Sequence, residues 1–306
     1  MQKTEIIAKP FLKWAGGKGQ LLNQIISFLP KEIEEKKIIR YVEPFVGSGA
    51  VFIYLTQFYQ FEEIFICDIN EELILAYKTI QKEVDKLIEC LSKIQISYFA
   101  LSLNNRKEFY YQVRESYNLE KKQIDFQVYS EQWINRTAQL IFLNRTCFNG
   151  LFRVNSQGQF NVPMGNYKNP LICHAENLKA ISQILQKTKI YHGNYDQCQQ
   201  WVDSQTFIYF DPPYRPISQT SNFTSYSQNN FSDVEQLKLR DFFYLLHQQQ
   251  AKLMLSNSDP TNKNPDDTFF EEVYQDYRIE KVKATRMINS NARKRGQINE
   301  LLIMNY

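Results

Sequence analysis

Residues 37–59, KIIRYVEPFVGSGAVFIYLTQFY, decide the fold of this chain. A short apolar run over residues 37–42 leads into the glycine turn EPFVGSG, and residues 50–59 then favour a helix. A strand, a glycine turn and a helix in this order open an α/β nucleotide-binding unit. The glycines let the backbone approach a ligand closely, and the helix N-terminus that follows favours anionic or polar groups.

The remaining apolar runs predict the rest of a sheet. The run over residues 63–67 ends at Asp68, about 20 positions after the turn, where ribose hydroxyls are usually held. Continuous rather than alternating apolar character indicates parallel strands that are covered on both faces. About seven strands are expected, with helices such as residues 234–249 between them. The further predicted strands are residues 189–192, 206–210, 252–255, 277–284 and 298–304.

Neither glycine loop fits a standard phosphate-binding fingerprint. A dinucleotide site needs a third glycine at position 52, which is Phe52, so NAD and FAD are disfavoured. The turn with Asp68 favours another nucleoside cofactor, although a glycine pair alone also fits a tight turn. The loop FLKWAGGKGQLL, residues 11–22, lacks the pattern of a P-loop. It suits either a carboxylate with Lys18 as counter-charge or a basic surface turn.

Composition limits the class of protein. With 306 residues, the chain is long enough for roughly two domains. The net charge of +3 excludes a globally basic protein but not a local basic surface. Three histidines and five scattered cysteines favour a reducing compartment and no metal site. No signal-like segment or long apolar run is present, so we expect a cytoplasmic location and no membrane contact.

The tetrapeptide DPPY, residues 211–214, directly follows the predicted strand over residues 206–210. The carboxyl ends of strands are where α/β proteins keep their chemistry. Asp211 offers two acceptor oxygens, and the stiff proline pair can direct the Pro212 carbonyl into the same site. Tyr214 adds a ring face. Two acceptors beside an aromatic ring suit the exocyclic amino group of a planar base, whereas the alternative is a rigid turn at a strand end.

The middle of the chain has a different composition. Residues 73 to about 130 are charged and favour helices, and residues 132–175 contain no acidic residue. We interpret residues 73–176 as an insertion into an α/β domain of residues 1–72 and 177–306. Within the insertion, LFRVNSQGQFNVP predicts a hairpin that turns at residues 156–158. Its arginines, like the acid-free basic stretch over residues 281–297, suit DNA phosphates, although a solvated surface is the alternative.

Taken in order, FLKWAGGK, EPFVGSG, Asp68, NRTCFNGLFRVNSQGQFNVPMGNY (residues 144–167) and DPPY resemble the Dam-type DNA adenine-N6 methyltransferases. The similarity looks closest to the DpnM-like branch that accompanies GATC restriction systems. It implies a Rossmann-like S-adenosylmethionine-dependent methyltransferase fold with a mixed seven-stranded sheet and an inserted, mainly helical DNA-recognition domain with a β-hairpin. It also implies site-specific methylation of adenine N6 in duplex DNA, at GATC, after the adenine is flipped into the DPPY site.

The resemblance also assigns roles to residues. Lys18 would face the methionine carboxylate, Asp68 the ribose hydroxyls, and Arg153 a guanine, with Phe148 as a wedge between base pairs. The catalytic residues would be Asp211, Pro212 and Tyr214. The cofactor-binding residues would be Trp14, Ala15, Gly16, Lys18, Phe45, Gly47, Gly49, Asp68 and Asp211. The DNA-binding residues would be Lys13, Arg145, Phe148, Asn149, Leu151, Arg153, Pro163, Tyr167, Arg293 and Arg295.

Two positions depart from the family pattern, and two other functions remain as alternatives. Asn166 stands where many relatives have Arg, which affects a phosphate or flanking-base contact. Asn194 stands where many have Asp, which affects a contact to the cofactor adenine, with Asp196 as a candidate substitute. The alternatives are methylation of another amino group, such as cytosine N4, and a catalytically silent DNA-binding protein. A cognate restriction endonuclease is a candidate partner.

Overall fold

The computed structural model describes residues 6–14, 16–215, 231–285 and 297–306. In these residues the chain forms seven β-strands and nine α-helices. The strands are β1 (Arg40–Glu43), β2 (Glu63–Asp68), β3 (Thr188–His192), β4 (Thr206–Phe210), β5 (Lys252–Ser258), β6 (Arg278–Thr285) and β7 (Gln297–Met304). The helices are α1 (Leu22–Ser27), α2 (Lys31–Glu34), α3 (Ala50–Phe58), α4 (Glu71–Ala100), α5 (Leu103–Glu120), α6 (Gln132–Thr146), α7 (Ala175–Leu185), α8 (Asp233–Gln248) and α9 (Phe269–Val273).

The strands form one mixed sheet in the order β3-β2-β1-β4-β5-β7-β6. β1 pairs in parallel with β2 and β4, and β4 pairs in parallel with β5. β7 is antiparallel to both β5 and β6. This arrangement confirms the predicted α/β fold with a mixed seven-stranded sheet.

The apolar runs located the strands well, and β5 shows where they fell short. The predicted run stopped at Leu255, but Ser256, Asn257 and Ser258 continue the ladder with β7. These three side chains are buried, as are all five residues of β4. Because β1 and β4 run in parallel, Glu43 at the end of β1 and Asp211 after β4 lie at the same sheet edge. That edge is where an open α/β sheet binds its ligands.

Contacts between residues divide the chain into two compact units. The first consists of Met1–Gly17, Gly47–Gln57 and Asn70–His192, and the second of Lys18–Val46, Phe58–Ile69 and Gly193–Tyr306. These boundaries differ from an insertion of residues 73–176, because parts of both glycine loops group with the first unit. The assignment of residues 73–176 to target recognition stays a prediction.

The first unit is mainly helical, as expected. Its longest helix, α4, begins after Asn70, whose side-chain oxygen accepts hydrogen bonds from the backbone N–H groups of Glu72 and Leu73 at 3.1 and 3.2 Å. α4 packs against α6 and α7. A buried ion pair joins Glu72 on α4 to Arg136 on α6 at 2.5 Å. Loss of either partner would weaken the compensation of a buried charge, so this pair links the two helices.

The predicted hairpin forms with two short antiparallel arms that turn at residues 156–158. The Asn155 N–H donates to the Gln159 carbonyl at 2.9 Å, and the two arms meet at one isolated bridge, Val154–Phe160. The outer edge of one arm, at Phe160, is bonded to α5. Asn118 on α5 accepts from the Phe160 N–H at 2.8 Å and donates to its carbonyl at 3.0 Å.

In the part of the chain that the structure describes, every helix is too short or too polar to cross a membrane.

Candidate active site

Asp211 lies at the carboxyl edge of the sheet in the second unit and is paired with a buried lysine. Its Oδ1 is 2.7 Å from Nζ of Lys18, and the two side chains are 22% and 4% exposed. The Ser256 hydroxyl on β5 donates to the same carboxylate oxygen at 3.2 Å. Burial raises the pKa of Asp211, and the opposing effects of Lys18 and Ser256 do not cancel that rise. The two partners therefore favour the ionised carboxylate, whereas burial favours the neutral form.

Tyr214 lies in the same cluster. Nζ of Lys18 is 4.6 Å from the centroid of its ring, so the ammonium contacts both the Asp211 carboxylate and an aromatic face. The Tyr214 hydroxyl donates to Oε2 of Glu300 on β7 at 2.5 Å. Burial raises the pKa of Glu300 as well. When ionised, the three groups Lys18, Asp211 and Glu300 sum to one negative charge, an arrangement that favours a cationic ligand.

Arg215 follows Tyr214 and ties this loop to two other parts of the second unit. Its guanidinium donates to Asp233 at the start of α8 at 2.7 and 3.1 Å. It also donates to Asp267 at 2.7 Å and lies 4.2 Å from the ring centroid of Phe269. The residue after the DPPY motif therefore has a structural role in this protein.

Two more predicted cofactor residues lie at strand ends in the second unit. Phe45 follows β1 and stacks on Tyr195, with ring centroids 5.2 Å apart. Asp68 ends β2, and its carbonyl accepts from the Gly193 N–H at 3.1 Å. Asn194 caps the short 3-10 helix Tyr195–Trp201, where its side chain accepts from the Tyr195 N–H at 2.9 Å. Its effect on a cofactor contact stays a prediction.

The first unit contains the other half of the predicted cofactor set. The Trp14 ring stacks on Phe152 at 5.4 Å. Gly47 and Gly49 have φ of +48° and +71°, and a Cβ at Gly49 would lie 2.5 Å from the Tyr77 hydroxyl oxygen. That hydroxyl donates to the Gly47 carbonyl at 3.1 Å, so the turn requires glycine for both backbone and space. Gly16 also has a positive φ, of +76°, and Ala15 lies outside the described residues.

One buried amide organises several of the predicted DNA-binding residues. The Asn144 side chain accepts from the Lys13 N–H at 2.8 Å, and it donates to the carbonyls of Lys13 at 2.8 Å and Gly150 at 3.0 Å. Gly150 has φ of +64°, and a Cβ there would lie 2.3 Å from Cδ of Lys13. Nζ of Lys13 is 4.2 Å from the ring centroid of Tyr167. Lys13, Gly150 and Tyr167 are therefore held together.

The neighbouring segment presents side chains to solvent. Phe148 is 53% exposed, and its N–H donates to the carbonyl of Pro163 at 2.8 Å, which brings the two residues together. Asn149 and Pro163 are exposed, and Leu151 is half-buried. Exposed apolar and amide groups of this kind are suited to contact base edges.

The two arginines of this segment differ. Nε of Arg153 donates to the Asn161 side chain at 2.7 Å across the hairpin arms. Arg145 instead donates to the backbone carbonyl of Phe11 at 2.7 Å, and burial lowers its pKa. Arg145 thus supports the first unit itself, and a DNA contact from it stays a prediction. Arg293 and Arg295 lie outside the described residues, as does most of the basic stretch after residue 285.

The comparison with known families decides the identity. The family described as D12 class N6 adenine-specific DNA methyltransferase matches residues 14–288. The chain belongs to this family.

Full-length relatives agree with the assignment. The Type II methyltransferase M.MjaIII of Methanocaldococcus jannaschii is 50% identical, with 97% of this chain and 99% of the relative covered. The Type II methyltransferase M1.LlaDCHI of Lactococcus lactis subsp. cremoris is 37% identical, with 100% and 98% covered. The DNA adenine methylase of Escherichia coli (strain K12) is 34% identical, with 97% and 95% covered. The resemblance, the adenine-N6 DNA methyltransferase class and DNA as substrate are confirmed.

In this D12 methyltransferase, two polar residues that contact the DPPY motif lie in stretches that share in the family resemblance, residues 255–258 and 300–302, but the sequence assigned them no role. Ser256 contacts Asp211, and Glu300 accepts from Tyr214. Both had a detectable signal, because each is a polar side chain in or directly after an apolar run. The Ser256 contact depends on the pairing of β4 with β5, and the Glu300 contact on that of β5 with β7, in which Ser258 lies opposite Glu300. Among the described residues, no group of three or more His, Cys, Asp or Glu side chains is placed to hold a metal ion.

Proposed function

We propose that this enzyme transfers a methyl group from S-adenosylmethionine to adenine N6 at GATC in duplex DNA, with the adenine flipped into the DPPY site. The observation that carries the proposal is the position of the Lys18 ammonium. It is an N–H donor that bonds to Asp211 and lies against the ring of Tyr214. A flipped adenine needs the same two partners, an acceptor for its amino group and an aromatic surface for its ring.

The residues of the motif suit the chemistry of the adenine amino group. This nitrogen is a weak nucleophile because its lone pair is delocalised into the ring. The Asp211 carboxylate and the Pro212 carbonyl would accept its two N–H bonds and stabilise the positive charge that develops on nitrogen. No strong base is needed before attack, because the amine is neutral and loses its proton late. Lys18 and Ser256 act against the effect of burial on the pKa of Asp211, and so favour the ionised form that this step needs.

The charges of the site fit a cationic methyl donor. S-adenosylmethionine, when bound, supplies an electrophilic methyl group on a positively charged sulfonium. Lys18, Asp211 and Glu300 together leave one negative charge to offset it. Asp68 would hold the ribose hydroxyls and Phe45 would line the pocket, with the remaining predicted cofactor residues Trp14, Ala15, Gly16, Gly47 and Gly49.

Lys18 has a different partner from the one its family role implies. The resemblance assigns it to the methionine carboxylate, but its ammonium is bonded to Asp211. Lys18 and Ser256 both bond to Oδ1, so the adenine amino group would bond to Oδ2, or to Oδ1 once Lys18 moves away. A carboxylate ligand would give the released ammonium a new partner, so donor binding favours an open Asp211.

Target recognition is proposed for the exposed segment around residues 148–163. Arg153 would contact guanine in the major groove, while Leu151 and Pro163 would meet a thymine methyl and Lys13 the first base pair. Phe148 is 53% exposed and would enter the stack as the adenine leaves. Flipping costs a few kcal/mol, and stacking on Tyr214 returns about 1–3 kcal/mol of that cost. Asn149, Tyr167, Arg145, Arg293 and Arg295 would support this interface.

Two relatives are named type II methyltransferases, which supports a companion restriction endonuclease acting on the same site. We also place the enzyme in the cytoplasm, where it would reach the DNA.

Labelled S-adenosylmethionine and three defined duplexes test the proposal. One duplex contains GATC, one a permuted site, and one GATC with its adenine already methylated. We expect label at adenine N6 in the first duplex only. Equal label in all three would exclude the GATC assignment. Absence of label in every duplex would indicate a silent DNA-binding protein.

A further inference from the structure

Two buried side-chain amides lie beside the DPPY loop in the second unit. Gln236 on α8 is 1% exposed, and Asn257 on β5 is fully buried. Nδ2 of Asn257 donates to Oε1 of Gln236 at 3.1 Å. We refer to these two residues as the amide pair. Burial of an amide is unfavourable unless its polar atoms are hydrogen-bonded. The other hydrogen bonds of the pair therefore indicate its role.

The amide pair reaches the backbone on both sides of Tyr214. Nε2 of Gln236 donates to the carbonyl of Pro213 at 3.2 Å. Oδ1 of Asn257 accepts from the N–H of Arg215 at 3.1 Å. These two backbone groups belong to the peptide units that flank the Cα of Tyr214. Since each peptide unit is planar, holding both of them fixes the direction in which the Tyr214 side chain leaves the backbone.

The hydrogen bonds form one chain with a single direction. The Arg215 N–H donates to Asn257, Asn257 donates to Gln236, and Gln236 donates to the Pro213 carbonyl. Each side chain must therefore act as donor at one end and acceptor at the other, as a neutral amide does. An apolar side chain at either position would leave a buried polar group of the other without its partner.

We propose that Gln236 and Asn257 are positioning residues for methyl transfer, which hold the Tyr214 ring where it meets the flipped adenine. The proposal rests on the proposed function, in which Tyr214 stacks on that base. The amide pair sets the backbone end of the side chain. Glu300 holds the hydroxyl end, at 2.5 Å. With both ends held, the ring is fixed before the base arrives, so the tyrosine side chain does not have to be ordered during methyl transfer.

Steady-state kinetics of the full-length enzyme on a GATC duplex test this role. Gln236→Met and Asn257→Leu remove the amides without adding charge or changing side-chain length much. We expect kcat to fall about 10- to 100-fold, the loss that misplacement of a reacting group produces, with the KM for duplex largely unchanged. The kcat of the double variant should be about that of the more impaired single variant, because both residues act in one hydrogen-bonded chain. Gln248→Met, at an exposed glutamine of the same helix, should keep the wild-type kcat.

A second background separates positioning from general support of the fold. In Tyr214→Ala enzyme the ring is absent, so adding Asn257→Leu should lower the residual kcat by less than twofold. Folded single variants with wild-type kcat would overturn the proposal, and so would an undiminished loss in the Tyr214→Ala background. If Gln236→Met does not fold, Asn257→Leu performs the same test from the strand side. Failure of the wild-type enzyme to label adenine N6 would instead refute the proposed function.

Discussion

Two regions of the molecule hold their side chains in opposite ways: the segment over residues 148–163 and the DPPY cluster, which consists of Lys18, Asp211, Tyr214, Ser256 and Glu300. In the cluster, Lys18 and Asp211 are 4% and 22% exposed and bonded to each other. In the segment, Phe148 is 53% exposed and the ordering falls on the backbone, through buried Asn144 and the Phe148–Pro163 hydrogen bond. Chemistry gains from fixed, desolvated charges, whereas base reading needs side chains that reach out of the protein.

This contrast makes the two regions respond differently to substitution. Removing a charge from the buried cluster should change the rate of transfer and leave duplex binding intact. Removing an exposed or backbone-supported group from the segment should change which duplex is bound. Each region therefore has a substitution that tests its side of the contrast.

The largest effect is expected at Asp211. Asp211→Asn keeps the shape of the side chain but loses the charge that stabilises positive nitrogen, so kcat should fall about 100- to 1,000-fold. Duplex affinity should stay near wild type in a gel-shift assay. Asp241→Asn, at an exposed aspartate on α8, is the matched control and should retain full activity. Turnover retained by Asp211→Asn would remove this residue from the catalytic role.

The next effect separates Arg153 in the segment from Arg145 on α6, just before it. Arg153→Ala should relax sequence preference, since a bidentate guanine contact contributes about 1–3 kcal/mol of discrimination. Arg145→Ala should instead lower the melting temperature, because its guanidinium donates to the Phe11 carbonyl inside the first unit. Initial rates on GATC and permuted duplexes, with thermal melts of both variants, distinguish the outcomes. An unchanged preference in Arg153→Ala would exclude that residue from base reading.

These two regions also differ in how far the sequence could predict them. The motif Asp211 to Tyr214 is contiguous, so its placement after β4 followed from the apolar run before it. The contacts of Ser256 and Glu300 depend on which strands pair, and local sequence does not determine the pairing of β5 with β7. Arg145 differs again, because its place in an acid-free stretch predicted a DNA contact, which stays a prediction, and gave no sign of its bond to the Phe11 carbonyl. Its burial depends on the distant Phe11 backbone, which composition does not reveal.

A pair of glycine variants tests whether the segment depends on its backbone. Gly150→Ala places a Cβ 2.3 Å from Cδ of Lys13, at φ of +64°. Gly158→Ala has the same backbone strain at φ of +74°, but its nearest neighbour, Nζ of Lys121, is 3.9 Å away. Both should lose about 1–2 kcal/mol of stability from the left-handed backbone.

Only Gly150→Ala should in addition weaken GATC binding, because it displaces Lys13. Denaturant melts and gel-shift titrations of both variants measure the two effects. Equal binding losses in both variants would show that backbone strain alone, and not the position of Lys13, determines affinity.

The smallest expected effect is a shift in pH dependence within the cluster. Burial raises the pKa of Asp211 and Lys18 lowers it, so Lys18→Met should raise it further. The carboxyl offsets the positive charge on nitrogen only when it is ionised, that is, above its pKa. Activity is therefore lost as pH falls through that value, and the acidic limb of kcat/KM should move to higher pH in the variant. Lys263→Met, at an exposed lysine, should leave the limb in place.

Glu300 also has a raised pKa and lies in the same cluster, so it could produce the same limb. Glu300→Gln removes that titration while its side-chain oxygen can still accept from the Tyr214 hydroxyl. If Asp211 is responsible, the limb persists in Glu300→Gln and moves in Lys18→Met. A limb that disappears in Glu300→Gln would assign the titration to Glu300. Activity of the buried cluster would then depend on two carboxylates, Asp211 and Glu300, and not on the Lys18–Asp211 ion pair alone. The segment over residues 148–163 would still differ from it in placing side chains such as Phe148 in solvent.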